Sequence, residues 1–139
     1  MDKPYRYQCR VEWRDTDAAG IVHYSVFFNY MEEAEHALLR DAGVDVVNAD
    51  DQGVYSFPRV SVKCDYKAPI RFSDVVDVDV TIARLGKASV TYQFHFSSND
   101  RPIAEGEVTT VCCRLVEGKG LKSMAIPASI REKLTQLVP

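Results

Sequence analysis

Residues 24–43 read YSVFFNYMEEAEHALLRDAG, and within them Phe27, Tyr30, Met31, Ala34, Ala37, Leu38 and Ala42 recur three and four positions apart. That spacing lays an apolar stripe along one face of an α-helix, and Gly43 supplies the stop. It predicts one helix of about 18 residues from Tyr24 to Ala42, roughly 27 Å long at 1.5 Å per residue. Phe28 and Leu39 lie off the stripe, so the helix is expected to be covered on more than one side and to sit centrally.

On either side of this stretch the period changes to two. From Tyr5 to Trp13 the odd positions are Tyr5, Tyr7, Cys9, Val11 and Trp13, while the even ones are Arg6, Gln8, Arg10 and Glu12, a strand with one buried face. After an acidic connection holding Asp45, Asp50, Asp51 and Gly53, alternation returns in Val60 to Tyr66, Val76 to Ile82 and Val90 to Phe96, and a last long strand runs from about Ile103 to Val116. Pro69, Leu85-Gly86-Lys87, Asn99-Asp100 and Gly118 to Gly120 mark the turns between them. Pro127 to Leu137 reads as a short C-terminal helix, with Pro127 suited to its first turn. The pattern fits an α+β domain: an antiparallel sheet of five or six strands wrapped around one long helix, the whole of residues 1–139 forming a single unit. Such an open sheet has edges to cover, so self-association is expected.

Composition narrows the function. Apolar residues make up 46 % of 139, enough for a sizeable core. The net charge of -3 offers no broad field for nucleic acid, so any phosphate contact must be local. Cys9, Cys64, Cys112 and Cys113 have neither disulfide-framework nor zinc-ligand spacing and read as buried thiols of a reducing compartment. The N-terminus lacks an export signal and no run approaches 18 apolar residues, so a cytoplasmic protein without membrane insertion is expected.

Chemistry concentrates just before the helix. Asp15-Thr16-Asp17-Ala18-Ala19-Gly20 sets two carboxylates and a glycine in a strand-to-helix loop. The first turn of a helix has free N–H groups and a partial positive charge that stabilise an oxyanion, and a carboxylate opposite can attack a carbonyl or activate water. Acidic residues in such loops also cap backbone N–H groups and do nothing else, and spacing alone leaves both roles open. Glu32 and His36 share a helical face as metal ligands would, but no further ligand cluster accompanies them, and an ion pair on the helix surface accounts for them. Arg84, Lys87 and Ser89 surround a hairpin turn in a way that suits a phosphate, with Arg59, Lys63, Lys119 and Lys122 as further cations. Phe27, Tyr30, Tyr55 and Phe57 could shape an aromatic or an aliphatic pocket equally well.

The stretch DTDAAGIVHY (residues 15–24), followed by F-x-x-Y-M-E-E-A-E from Phe27, resembles the signature of hotdog-fold thioesterases of the 4-hydroxybenzoyl-CoA and Tol-Pal-associated type. Tyr66 to Asp74 resembles that family's segment entering the third strand, and Ala125-Ile126-Pro127 its C-terminal turn, so residues 5 to 137 are covered in order. The resemblance implies that the helix is the sausage and the sheet the bun, with a homodimer carrying two interface sites, often paired again into a homotetramer. It implies acyl-CoA hydrolysis without metal or redox cofactor. Asp17 would be nucleophile or general base, and the Tyr24 backbone N–H would polarise the carbonyl. Gly20, Val22 and His23 would border the substrate, and Arg84, Lys87 and Ser89 would meet the coenzyme. The order His23-Tyr24 departs from the Tyr-His of the Tol-Pal branch, which leaves the imidazole's role open. Glu33 is a minor alternative carboxylate, because another hotdog branch uses one on the helix. Two other functions remain to be discriminated: acyl hydration or dehydration through His23 with a carboxylate, and acyl binding without catalysis.

Overall fold

The computed structural model describes residues 3–139. In chain order its elements are β1 (Tyr5–Arg10), α1 (Val26–Asp41), β2 (Val47–Asp50), β3 (Gly53–Ser56), β4 (Arg59–Tyr66), β5 (Val75–Leu85), β6 (Ser89–Ser98), β7 (Arg101–Val111), β8 (Cys113–Val116), β9 (Gly120–Ser123) and α2 (Ala128–Thr135). The main antiparallel sheet has the order β1-β5-β6-β7-β4, and a smaller one the order β2-β3-β8-β9.

The alternation decides which side of the main sheet is covered. Val76, Val78, Val80 and Ile82 of β5 and Val90, Tyr92, Phe94 and Phe96 of β6 are buried and pack with Phe27, Tyr30, Met31, Ala34 and Leu38 of α1. Each such side chain contributes about 1.5–3 kcal/mol on leaving water, so this face fixes the sheet on the helix. Leu39 is buried and Phe28 half-buried, as expected of a helix covered on more than one side. Gly106 of β7 leaves the notch that Met31 fills; a Cβ there would collide with the Met31 Sδ and Cε.

Five expectations are corrected. The first strand ends at Arg10 instead of Trp13. Val11 donates its N–H to the Asp74 carbonyl (2.8 Å), Trp13–Asp15 close a 3-10 turn, and Trp13 stands in solvent edge-on to Phe72. The helix begins at Val26, because Tyr24 and Ser25 belong to the turn before it. The acidic connection contains the β2–β3 hairpin, strands too short to carry a visible period. The last strand is broken at Cys112, whose N–H leaves the β7 ladder for the Ala88 carbonyl (2.7 Å). The C-terminal helix is Ala128–Thr135, with Pro127 as its N-cap.

Along β4 the expected apolar row exists but is uncovered: Val60, Val62 and Tyr66 are 62, 50 and 46 % exposed. The strand lies at the edge of the sheet, paired on one side with β7 alone. Among the described residues no helix is long and apolar enough to cross a membrane.

Candidate active site

The loop between β1 and α1 is folded by its own polar groups. Asp17 donates its N–H to the Ile21 carbonyl (2.9 Å), Gly20 returns an N–H to the Asp17 carbonyl (3.0 Å), and Thr16 and Val22 form an isolated bridge. Gly20 holds φ at +80°, a left-handed conformation that glycine adopts without steric cost. The two aspartates of the loop then part company. The Asp15 carboxylate accepts the Glu12 N–H and the phenol of buried Tyr30, both at 2.9 Å, and its carbonyl accepts the His23 N–H (2.9 Å). Asp15 therefore ties the loop to the helix, and burial together with this hydrogen bond pushes the Tyr30 phenol well above its ordinary range. Asp17 uses Oδ1 to accept the Ala19 N–H (2.8 Å) and lines a cleft.

That cleft, of about 450 Å³, is walled by Ile21, Val22, Tyr24, Phe27, Tyr66, Ala68, Pro69 and Ile70, with Lys67 and Asp17 as its charged members. The N-terminal tip of α1 reaches it through Tyr24. Ser25, at the N-cap position, makes no side-chain cap hydrogen bond. Instead the His23 Nδ1 accepts the Ser25 N–H (3.2 Å) and lies 2.7 Å from the Ser25 Oγ, while the His23 carbonyl accepts the Val26 N–H (3.0 Å). An accepting Nδ1 leaves the proton of a neutral ring on Nε2. The Tyr24 N–H has no acceptor among the described residues, and it lies where the helix dipole is positive. The arrangement can hold a carbonyl oxygen at an N–H, with a carboxylate on the same wall and apolar surface around it.

Of the residues singled out in the sequence, Asp17, Val22 and Tyr24 share this cleft, and Gly20 shapes its loop. His23 does not line it; its ring stacks on Tyr24 (centroids 4.5 Å) and caps Ser25. Among the four candidate pocket aromatics only Phe27 lines it. Tyr30 points to Asp15, Tyr55 packs beneath Arg114 (5.6 Å to the ring centroid), and Phe57 is half-buried elsewhere. Glu33 lies in a different, polar cleft and accepts the Tyr7 phenol (3.1 Å). Glu32 faces Arg59 (3.8 Å), the His36 Nε2 is buried with no hydrogen-bond partner among the described residues, and no cluster of three or more potential metal ligands forms among them.

The cations divide similarly. Arg59 is engaged by buried Glu35 (3.0 Å), whose carboxyl is pushed up to about 7 by burial, against the opposing pull of Arg59. Lys63 pairs with Asp65 (3.6 Å), while Lys119 and Lys122 stand exposed on the β8–β9 hairpin. Arg84, Lys87 and Ser89 cluster at the β5–β6 turn, beside the start of β4: Val111 N–H meets the Pro58 carbonyl, and Ser89 faces Val111. The cleft lies at the other end of β4, about 23 Å along an eight-residue strand. Sequence reading missed Arg131, which from α2 donates to the Gly86 carbonyl and to that of Lys87 (2.9 Å) and so holds this turn. It also missed the Glu35–Arg59 pair. Both join residues distant in sequence and leave no local signal.

A long helix packed on a five-stranded antiparallel sheet is the hotdog fold, and the chain shares it with solved thioester hydrolases. The chain belongs to the thioesterase-like superfamily, whose family model it matches over residues 11–134. An Aquifex aeolicus protein described only provisionally as an esterase is 32 % identical over 131 residues, 94 % of this chain and 98 % of that protein. The acyl-CoA thioester hydrolase YbgC of Escherichia coli O6:H1 is 26 % identical over 133 residues, 95 and 96 % of the two chains. Among solved structures, the gentisyl-coenzyme A thioesterase BH1999 superposes with a TM-score of 0.78 at 31 % identity, over 94 % of this chain and 99 % of that one.

Proposed function

We propose that this protein hydrolyses acyl-CoA thioesters to the free acid and CoA, with residues 1–139 acting as one catalytic domain. The observation that carries the reading is the shared cleft: Asp17 and Tyr24, whose N–H has no acceptor among the described residues, line one apolar-walled space. The thioester oxygen sits at the Tyr24 N–H. The Asp17 carboxylate either attacks the carbonyl carbon or takes a proton from an attacking water. Negative charge gathers on the oxygen, the helix tip offsets it, and the C–S bond breaks to release the CoA thiolate, which takes up a proton; with water as nucleophile the free acid leaves at once, and with Asp17 as nucleophile a water then cleaves the Asp17–acyl anhydride to release the acid and restore the carboxylate. His23 is committed to capping, which weighs against hydration by a histidine–carboxylate pair.

A homodimer completes the site. The uncovered edge of β4 offers unpaired backbone groups beside Val60, Val62 and Tyr66, and a second copy pairing antiparallel there would seal them. A two-fold axis across β4 sets the start of one strand against the end of the other. The Arg84–Ser89 turn of one protomer then approaches the cleft of its partner, where the CoA phosphates need cations. Cys112 and Cys113 are buried as expected and Cys9 and Cys64 only half-buried, and four free thiols suit a reducing cytoplasm.

Thiol release from benzoyl-, butyryl- and palmitoyl-CoA tests the activity; turnover of none of them overturns it. The dimer is tested by mixing. Asp17→Ala and the double variant Arg84→Ala/Lys87→Ala are each inactive alone, and co-refolding at equal amounts should return about a quarter of wild-type activity, because half the dimers carry one intact site. A native mass of two or four chains agrees with the arrangement, whereas a monomer at assay concentration overturns it.

A further inference from the structure

The Tyr24 carbonyl is an orphan of the helix start. The Phe28 N–H, its partner in a regular α-helix, turns to the Ser25 carbonyl instead (3.1 Å). The Tyr66 phenol, reaching in from the end of β4, donates to that carbonyl at 2.7 Å. Tyr66 is itself fixed. Its ring meets Phe27 edge-on (5.0 Å), and Phe27 meets core residue Phe96 (5.3 Å). The next two residues, Lys67 and Ala68, donate their N–H groups to the Ile103 carbonyl (2.8 and 3.1 Å). Tyr24, by contrast, stands 65 % exposed in a turn ahead of the helix. Its two flanking peptides are thus pinned from opposite sides: the one with His23 by the Val26 N–H, the one with Ser25 by Tyr66.

We propose that Tyr66 is a positioning residue for thioester hydrolysis: its phenol, holding the Tyr24 carbonyl, sets the backbone angle that aims the Tyr24 N–H into the cleft. This rests on the reading of Tyr24 as the oxyanion donor. A peptide N–H stabilises a developing oxyanion only when it is already aimed, because charge appears faster than a loop rearranges. Partial burial pushes the phenol up to about 12, so it remains a donor across the range in which thioesterases are assayed.

Tyr66→Phe removes the hydroxyl and keeps the ring against Phe27. The expected result is a kcat lowered about tenfold or more, with KM within about twofold and an unchanged melting temperature. A merely structural role would not move a second readout: the ratio of binding constants for a ketone analogue of the best thioester, which keeps the carbonyl, and a thioether analogue, which lacks it. Tyr66→Phe should weaken the ketone selectively. Tyr66→Leu, which also loses the ring contact, should raise KM as well. Wild-type kcat per folded molecule in Tyr66→Phe, or equal weakening of both analogues, overturns the proposal. Asp17→Asn separates the two readings. If that variant is inactive while Tyr66→Phe is normal, only the positioning role fails; if it turns over normally, the mechanism fails and the role of Tyr66 with it.

Discussion

The tip of α1 and its middle turn carry similar groups in opposite states. At the tip, the Tyr24 N–H has no acceptor among the described residues, and Asp17 borders a cleft with room for a ligand. In the middle, Glu35 is 3 % exposed, and Arg59 meets it at 3.0 Å. Buried charge is costly unless paired, so the middle reads as structure. A polar group left unmet beside an apolar-walled opening reads as chemistry. Asp15 sharpens the contrast: two residues before Asp17 and of the same type, it meets the Tyr30 phenol and the Glu12 N–H and belongs with the structural set.

Substitutions can break that division, and the largest effect is expected at the tip. Asp17→Ala should lower kcat by roughly a thousandfold, about 4 kcal/mol in the barrier, with a melting temperature near that of the wild type. Coupled loss of folding and activity would move Asp17 into the structural set. Asp15→Ala should do the reverse, removing about 2–3 kcal/mol of stability in urea titration, because it strands a buried phenol and a backbone N–H. The Glu35 carboxyl holds its proton more tightly when folded, at about 7 against 4.5 for the free side chain. Stability from this group is therefore full below about pH 4.5 and is lost as pH rises from there to about 7, by on the order of 3 kcal/mol. Glu35→Gln, which keeps an oxygen for Arg59, should flatten that part of the stability–pH curve; an unchanged slope between pH 5 and 8 would remove Glu35 as its source. Gly106→Ala should cost least, about 1–2 kcal/mol, because the crowded partner is the flexible end of Met31. Its kcat should be that of the wild type, since the notch lies beneath the middle of the helix.

Much of this division could be read from residue order. The valines of β5 and the aromatics of β6 alternate and are buried as a set, and the helix period placed Phe27 and Met31 on the covered side. The loop signature likewise pointed to Asp17 and Tyr24, which border one cleft. Other features depended on contacts no local pattern encodes. Glu35 and Arg59 are distant in sequence, as are Tyr66 and Tyr24, and each pair meets because the sheet brings β4 alongside α1. Alternation in Val60, Val62 and Tyr66 said which side chains share a face, not whether anything covers that face. Trp13 continued a period whose backbone had already turned away to pair with Asp74.

The bare margin at β4 has a consequence for the life of the newly made chain. As an exposed edge, the strand is a template on which an extended polypeptide can add, including another copy at an earlier stage of folding. Lys63 and Asp65, exposed at alternate positions along it, act as gatekeepers that make an off-register annealing of apolar chains less favourable. Neutralising those two charges should therefore favour aggregation through this edge, before any global unfolding.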